Sequence, residues 1–178
     1  MVPIFVWWIG EEEADPDLME HVRRHVAVAF GRPVLAWDQP ERPRHAFDPR
    51  RRQHASGPIL RWLGETGPRD GKILGVTDRD LFIPILTYVF GEAQLGGIAA
   101  VVSTARLTED VELFGRRLLV ERLAKEAVHE VGHAFGLVHC ATPACVMSRS
   151  PAVLEVDEKG SELCGACRAR LRELNGGT

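Results

Sequence analysis

Short apolar runs alternate with helix-like segments along the first half of the chain. Compact runs rich in Val, Ile and Leu are typical of buried strands, and turn residues bound each run. The predicted strands cover residues 2–9, 33–37, 72–76, 83–90 and 97–103. Residues 16–30 instead carry apolar side chains at helical spacing, with Asp15-Pro16 as a helix start and Gly31 as its end. A second helix is predicted over 53–65.

Two further helices complete the pattern. The longest helical segment covers residues 108–136, and the last helix covers 160–174. Elements in this order predict an α/β (α+β) fold, in which a mixed β-sheet is packed by helices. The chain has 178 residues, 45% of them hydrophobic and 26% charged, which suits one domain with its own core. We predict a single domain over 1–178, with an N-terminal lobe, 1–139, and a small cysteine-bearing lobe, 140–178.

Charge and hydropathy narrow the classes of partner. The formal net charge is −3, so the overall balance gives no support to nucleic-acid binding. No apolar stretch reaches the roughly 18–20 residues that a membrane span needs. The apolar start, Met1–Ile9, lacks a basic leader and runs into three glutamates, which is not the pattern of a secretory signal. We therefore expect a cytoplasmic protein without membrane or nucleic-acid partners.

The most specific motif lies at the end of the longest predicted helix. Residues 129–139 read His-Glu-Val-Gly-His-Ala-Phe-Gly-Leu-Val-His. Positions four apart share one helix face, about 6 Å apart along the axis, so His129 and His133 can bind one metal ion. Gly136 favours the left-handed turn that returns His139 as a third ligand. Three protein ligands leave one position open, as in catalytic zinc sites, and Glu130 then lies where a general base for a metal-bound water is needed.

The alternative is that these histidines only pack against the core or cap the helix. A single histidine on an apolar helix face usually does so. Three histidines at these spacings, with the glutamate and the glycine in place, occur by chance in about one such sequence in ten thousand. We therefore interpret the motif as a catalytic zinc site.

Four cysteines follow the motif, at Cys140, Cys145, Cys164 and Cys167. They supply enough thiolates for a closed, tetrahedral structural zinc site, and the last two form a C-x-x-C pair. Two disulfides or a redox C-x-x-C are the alternatives, although a reducing cytosol favours metal binding by clustered cysteines. Met147 lies between the two cysteine pairs, and we expect it to form an apolar floor beneath the catalytic metal.

Together these residues resemble one family of zinc peptidases, the archaemetzincins. Metzincins share H-E-x-x-H-x-x-G-x-x-H and a downstream Met-turn. The archaemetzincin pattern adds four cysteines around that methionine, as in HEVGHAFGLVHC (129–140), CVM (145–147) and CGAC (164–167). The spacing between Met147 and Cys164 is slightly shorter than in the family pattern, and we place the difference in the loop 148–160. A weaker likeness extends back to about residue 76.

The resemblance implies more than the spacing does. It implies a metzincin-like sheet with the active-site helix beneath a cleft, and an edge strand that aligns peptide substrates, for which residues 97–103 are our candidate. It implies a second, structural zinc on the cysteines, and a peptidase that is aminopeptidase-like in some members. Tyr88 is the single tyrosine and none follows Met147. We therefore expect zinc and backbone N–H groups to stabilise the oxyanion.

A different class of function stays open from sequence. The protein could be a zinc-stabilised binding or scaffold protein whose peptidase centre is vestigial, although a retained fold would not need a carboxylate at Glu130. Five arginines in the loop 39–52 are most simply a solvated surface, with an acidic partner as the alternative.

Overall fold

Two β-sheets of different size carry the fold in the computed structural model, which describes residues 1–176. The strands are β1 (Ile4–Trp8), β2 (Val34–Trp37), β3 (Phe47–Asp48), β4 (Gln53–Ala55), β5 (Lys72–Thr77), β6 (Leu81–Phe82), β7 (Gly91–Ala93) and β8 (Ala99–Ser103). The larger sheet has the order β2-β1-β5-β8-β7, in which β7 alone is antiparallel to its neighbour. The smaller sheet has the order β3-β4-β6. This architecture confirms the predicted mixed α/β fold.

Helices cover both faces of the larger sheet. They are α1 (Pro16–Phe30), α2 (Ser56–Thr66), α3 (Val111–Phe114), α4 (Arg116–Ala134), α5 (Val153–Glu158) and α6 (Gly165–Leu174). Successive side chains of a strand point to opposite faces. In β1, therefore, Ile4 and Val6 enter the core with α1 and α4, whereas Phe5 and Trp7 enter the core beneath α2. Burial on both faces explains why β1, β5 and β8 appear in the sequence as continuous apolar runs.

The first helix forms where its capping residues predict. The Asp15 side chain accepts hydrogen bonds from the N–H groups of Asp17 and Leu18, both at 3.1 Å. Gly31 ends the helix at a φ of 60°, which is the left-handed conformation that glycine favours. Helices predicted at 53–65 and 160–174 also form, but both start later than predicted, at Ser56 and Gly165, and residues 53–55 belong to β4 instead. The predicted segment 108–136 is divided into α3 and α4 by Gly115, whose φ is 86°.

Two strand predictions are wrong in ways that matter for the site. Residues 83–90 form a turn rather than a strand. Pro84 offers no N–H, and the Arg51 guanidinium donates to the carbonyls of Leu86 and Thr87. The strand near 97–103 does form, as β8, but it lies inside the sheet between β5 and β7 and is wholly buried. The edge strand on that side is therefore β7, which the sequence pattern did not predict.

The segments after residue 139 pack onto the main core. Val146, Met147, Val156 and Leu171 belong to the same buried cluster as the strands and α1. We propose on this ground that residues 1–178 form one domain, with 140–178 as its smaller lobe; residues 177 and 178 lie outside the described part. No helix within residues 1–176 combines the length and apolar character needed to cross a membrane.

Two ion pairs connect this lobe to α4. Arg122 is bonded to Asp157 through two parallel contacts of 2.7 Å. The Lys159 ammonium lies 2.6 Å from the Glu126 carboxylate, and both side chains are buried. Removing one partner would leave the other charge buried and uncompensated.

Met147 packs closely against Gly132 in the core. Met147 is fully buried beneath α4, and a Cβ added at Gly132 would overlap its sulfur atom. Since the methionine is fully buried and would have to shift, we expect Gly132→Ala to lower the free energy of unfolding by about 2 kcal/mol. Urea unfolding of the protein as purified measures this change.

The matched control is Gly64→Ala in α2, where an added Cβ would lie 3.6 Å from the nearest atom outside its own helix. We expect that substitution to raise the free energy of unfolding by up to about 1 kcal/mol. A Gly132→Ala variant as stable as the parent protein would contradict the packing role of Met147.

Candidate metal centre

The end of α4 brings three histidines together. His129 and His133 lie one turn apart on the helix, which ends at Ala134. Gly136 then adopts a φ of 93°, the positive φ that the sequence predicts, and the Leu137 N–H donates to the Gly132 carbonyl at 3.0 Å. This turn brings His139 back over the helix, with its ring centre 5.3 Å from that of His129 and 4.9 Å from that of His133.

Two of the three imidazoles are oriented by backbone carbonyls. His129 Nδ1 lies 2.9 Å from the Val146 oxygen, and His133 Nδ1 lies 2.7 Å from the Leu137 oxygen. Each Nδ1 must carry the proton to donate these bonds, so each neutral ring presents a lone pair at Nε2. Burial lowers the pKa of all three imidazoles, which favours this neutral, metal-ligating form.

The free nitrogen atoms converge on one point. His129 Nε2 and His133 Nε2 lie 3.1 Å apart, and one ring nitrogen of each of the three histidines falls within 4.8 Å of the others. Facing lone pairs repel unless a cation lies between them. Tetrahedral zinc with bonds near 2.1 Å separates its nitrogen ligands by about 3.4 Å, so the donor set fits that metal.

Glu130 lies beside the histidines in a closed environment. Its side chain is 5% exposed, and a Cβ at Gly91 would come within 2.6 Å of Glu130 Cγ. Glycine in the edge strand is thus what allows the carboxylate to lie against β7. Burial raises the pKa of the Glu130 carboxyl well above its usual range, and the nearby Glu126 raises it further. A poorly solvated carboxylate is a stronger base for removing a proton from water.

The four cysteines form a second cluster behind the first. All four sulfur atoms lie within 4.8 Å of one another, and the Cys140–Cys164 and Cys145–Cys167 pairs are each separated by 3.8 Å. A disulfide needs about 2.05 Å between its sulfur atoms, whereas tetrahedral zinc with Zn–S bonds near 2.3 Å separates them by about 3.8 Å. All four cysteines are unbridged. The geometry therefore favours the metal over the two disulfides.

Thiol acidity agrees with a cation at this position. The Cys167 N–H bonded to the sulfur of Cys164 lowers the pKa of that thiol to about 6. Burial raises the pKa of the Cys145 and Cys167 thiols. Four neighbouring thiols cannot all ionise without a positive charge among them, and a bound metal ion supplies that charge.

A short backbone segment joins the two clusters. The Val146 carbonyl accepts the bond from His129, and the Met147 carbonyl accepts a 2.9 Å bond from the Cys140 N–H. Val146 N–H in turn donates to the Glu162 carbonyl, close to the second cysteine pair. Met147 lies against Gly132, between the two helical histidines in sequence, and its role as a floor beneath the metal stays a prediction.

A cleft opens above the histidines. It encloses about 320 Å³ and is bounded by His129, Glu130, His139, the turn 86–91 and the segment Arg149–Pro151. Tyr88 spans its rim, because the Tyr88 hydroxyl donates a long bond of 3.4 Å to the Pro151 carbonyl. The Arg106 guanidinium lies 4.9 Å from the centre of the Tyr88 ring and is itself paired with Asp80.

Several residues of the cleft were not found by sequence reasoning. Tyr88, Glu126, Arg149 and Ser150 lie far from the histidine motif in sequence or carry no characteristic spacing. Arg51, one of the five loop arginines, holds the turn 86–87 and lies over the Phe82 ring at 4.1 Å. Arg42 likewise donates to backbone carbonyls, including that of Gly10 at 2.9 Å. These two arginines are therefore structural, and the loop is not simply a solvated surface.

Comparison with known proteins agrees with this geometry. The model of Peptidase family M54 matches residues 70–173. An archaemetzincin from Methanopyrus kandleri is 39% identical over 157 residues, covering 87% of this chain and 86% of that protein. An archaemetzincin from Archaeoglobus fulgidus is 44% identical over 127 residues, covering 71% of this chain and 73% of that protein.

Solved structures match almost the whole chain. The crystal structure of the M. kandleri archaemetzincin superposes with a TM-score of 0.82 at 32% identity, covering 98% of this chain and 95% of that one. The A. fulgidus archaemetzincin, complexed with malonate, gives 0.81 at 33% identity, covering 95% and 99%. With two zinc sites and the matching fold, the chain belongs to the archaemetzincin family, Peptidase family M54, and is a zinc metallopeptidase.

Proposed function

We propose that His129, His133 and His139 hold the catalytic zinc and that Glu130 is the general base for peptide-bond hydrolysis. The observation that carries this proposal is the convergence of two Nε2 lone pairs at 3.1 Å, with Glu130 next in sequence and buried beside them. Cys140, Cys145, Cys164 and Cys167 hold the structural zinc in the same proposal. The substrates are peptides or proteins.

The chain's own residues account for the proton transfers. Zinc, when bound, lowers the pKa of a water molecule and polarises the scissile carbonyl. Glu130 takes a proton from the attacking water at its carboxylate and delivers it to the leaving amine. The bonds from His129 and His133 to backbone carbonyls hold both rings in place while this happens. Gly91 leaves the space in which the carboxylate lies.

We propose that β7, rather than residues 97–103, aligns the substrate backbone. Phe90 and Gln94 are bonded to β8, because Ser103 N–H donates to the Phe90 carbonyl and Gln94 N–H donates to the Ala99 carbonyl. Backbone direction alternates along an antiparallel strand, so Gly91 and Ala93 turn their N–H and C=O groups towards the open edge. An extended peptide can add to that edge as a further strand.

We also propose a side-chain donor for the oxyanion. Tyr88 lines the cleft together with Glu130, and its hydroxyl is bonded only weakly, at 3.4 Å, to a carbonyl that a substrate can displace. A phenol of this kind stabilises the negative charge on the carbonyl oxygen during attack. It replaces the expectation that zinc and backbone N–H groups act alone.

The alternative of a scaffold protein with a vestigial centre is not supported by the site. A vestigial centre would not keep a buried carboxylate fitted against a glycine of the edge strand. We propose that the protein acts in the cytoplasm, where its four unbridged cysteines would stay reduced, and without nucleic-acid or membrane partners.

Replacing the general base tests the central claim. Glu130→Gln removes the proton acceptor but no proposed zinc ligand, so we expect its zinc content to match that of the parent protein. We expect the rate of peptide hydrolysis to fall by at least about 1,000-fold. The assay is digestion of a peptide library, followed by mass spectrometry, with metal content measured on the same samples.

The same digest is repeated after a chelator has removed the zinc. Cleavage by the parent protein should disappear when zinc is removed and return when zinc is added. Undiminished hydrolysis by Glu130→Gln would rule out the assigned base, and a parent protein that cleaves no library peptide would favour the scaffold alternative.

Zinc content tests the second cluster. Protein purified without added zinc should contain close to two zinc ions per chain, because the two donor sets are separate. Cys167→Ser should lose one of them and lower the midpoint of thermal unfolding, since structural zinc stabilises the folded state. One zinc per chain in the parent protein, with no thiols titratable after unfolding, would show disulfides instead.

Tyr88→Phe separates the proposed oxyanion donor from a structural role. We expect kcat to fall by about 10- to 100-fold, with KM and zinc content little changed, because the lost bond forms in the transition state. Leu95→Ala, at an exposed position of the β7–β8 loop, is the control. An unchanged kcat in Tyr88→Phe would exclude the hydroxyl from the reaction.

A further inference from the structure

Two polar side chains on the cleft wall have unused hydrogen-bonding capacity. Arg149 and Ser150 follow Met147 by two and three residues, and both line the cleft with Glu130 and His139. Within residues 1–176 the Arg149 guanidinium takes part in no ion pair, although arginine offers five N–H donors. The wall therefore presents a free cation beside the proposed catalytic centre.

Ser150 adds an independent observation. Its hydroxyl oxygen is shielded from solvent, yet it has no hydrogen-bond partner in the part of the chain that the structure describes. A buried hydroxyl without a partner lowers stability by roughly 1–3 kcal/mol, and native proteins keep few of them. Such a group next to a free guanidinium is suited to share a ligand with it.

Apart from Glu130, the proposed base, the other charges around the cleft are already compensated. Glu126 also lines the cleft, but Lys159 neutralises it from behind at 2.6 Å. Arg106, at the rim, is paired with Asp80, and Arg51 is bonded to carbonyls of the turn. Among the residues of 1–176 that line the cleft, Arg149 is the single lysine or arginine. Arg149 is therefore the one unpaired cation in the described lining of the cleft that can bind an anionic group of a substrate.

The wall that carries these side chains is held in place. Ser148 N–H donates to the Cys145 carbonyl at 2.9 Å, which fixes the start of the segment to the cysteine cluster. Just beyond its end, the Ala152 N–H donates to the Glu155 carboxylate at 3.1 Å. A backbone anchored on both sides of Arg149 and Ser150 limits the entropy that is lost when a ligand binds.

We propose that Arg149 and Ser150 form a carboxylate-binding subsite, which makes the enzyme prefer peptides with a carboxylate close to the scissile bond. The planar guanidinium matches a carboxylate through two parallel hydrogen bonds, and the Ser150 hydroxyl supplies a third donor. The carboxylate is an acidic side chain or the free C-terminus of a short peptide. This subsite rests on the proposed function, because it selects substrates for the same cleft.

Peptide binding to zinc-loaded Glu130→Gln protein tests the subsite without turnover. The probes are fluorescent peptides of one sequence in three versions: with Glu beside the scissile position, with Gln in its place, and with Gln plus a C-terminal amide. The Glu–Gln pair reports an acidic side chain, and the acid–amide pair reports the C-terminus. We expect a carboxylate in at least one pair to lower Kd by about 10-fold at low salt, and less at high salt.

Further substitutions in the Glu130→Gln protein identify the residues that cause this carboxylate preference. Adding Arg149→Gln should bring the ratio of the two Kd values close to one for the peptide pair that shows the preference. Adding Ser150→Ala should reduce the same ratio by about 2- to 3-fold. The matched control is Arg61→Gln, since Arg61 is an exposed arginine of α2 outside the cleft. It should keep the full ratio, and zinc content should be equal in all variants.

The outcomes separate the subsite from the peptidase function. No carboxylate preference in Glu130→Gln protein, or a preference that survives Arg149→Gln, overturns the subsite, whatever the parent enzyme cleaves. A preference lost in Arg149→Gln supports it even if the parent protein were to cleave no peptide, in which case the proposed hydrolysis alone would fail.

Discussion

The hydrogen bond between His129 and the Val146 carbonyl is the interaction on which the rest of the site depends. It sets the tautomer of the imidazole, and so leaves Nε2 free to meet the same atom of His133 at 3.1 Å. The carbonyl belongs to the segment after Cys145, so the bond also ties α4 to the C-terminal lobe. A loop that shifted by one residue would offer this ring another partner and would turn its lone pair away from the metal.

The two metal clusters are mechanically coupled through that segment. Cys140 follows His139 directly, and its N–H donates to the Met147 carbonyl. The backbone at 146–147 therefore contacts His129 of the first cluster and Cys140 of the second. The buried pair of Glu126 and Lys159 fastens the same lobe to the helix behind the cleft. Rigid contacts behind the metal ligands keep those ligands oriented, and the loss of such contacts weakens metal binding although no ligand changes. Glycines at 91 and 132 then admit Glu130 and Met147 where any side chain would exclude them.

Local chemistry explains which predictions succeeded. The convergence of the three histidines and the turn at Gly136 follow from helical spacing and from the conformational freedom of glycine, both of which act within eleven residues. The role of Glu130 as the base stays a proposal. The capped helix after Asp15 succeeded for the same reason. The strand predicted at residues 83–90 was wrong because an apolar run does not reveal that arginine and glutamine side chains from another part of the chain bind its carbonyls. The prediction that residues 97–103 form an edge strand was wrong because strand order depends on pairing across the whole sheet.

By itself, the sequence determined the donor sets of this protein: three imidazoles, one carboxylate and four thiols at spacings that a helix end and two tight loops can bring together. The tertiary structure alone decided which strand edge faces the cleft, which carbonyls orient the histidines, and which charges are already paired. It therefore also decided that Tyr88, Arg149 and Ser150 belong to the cleft. These residues are joined to the histidines by contacts between distant segments, and the free energy of those contacts depends on packing that no local pattern records.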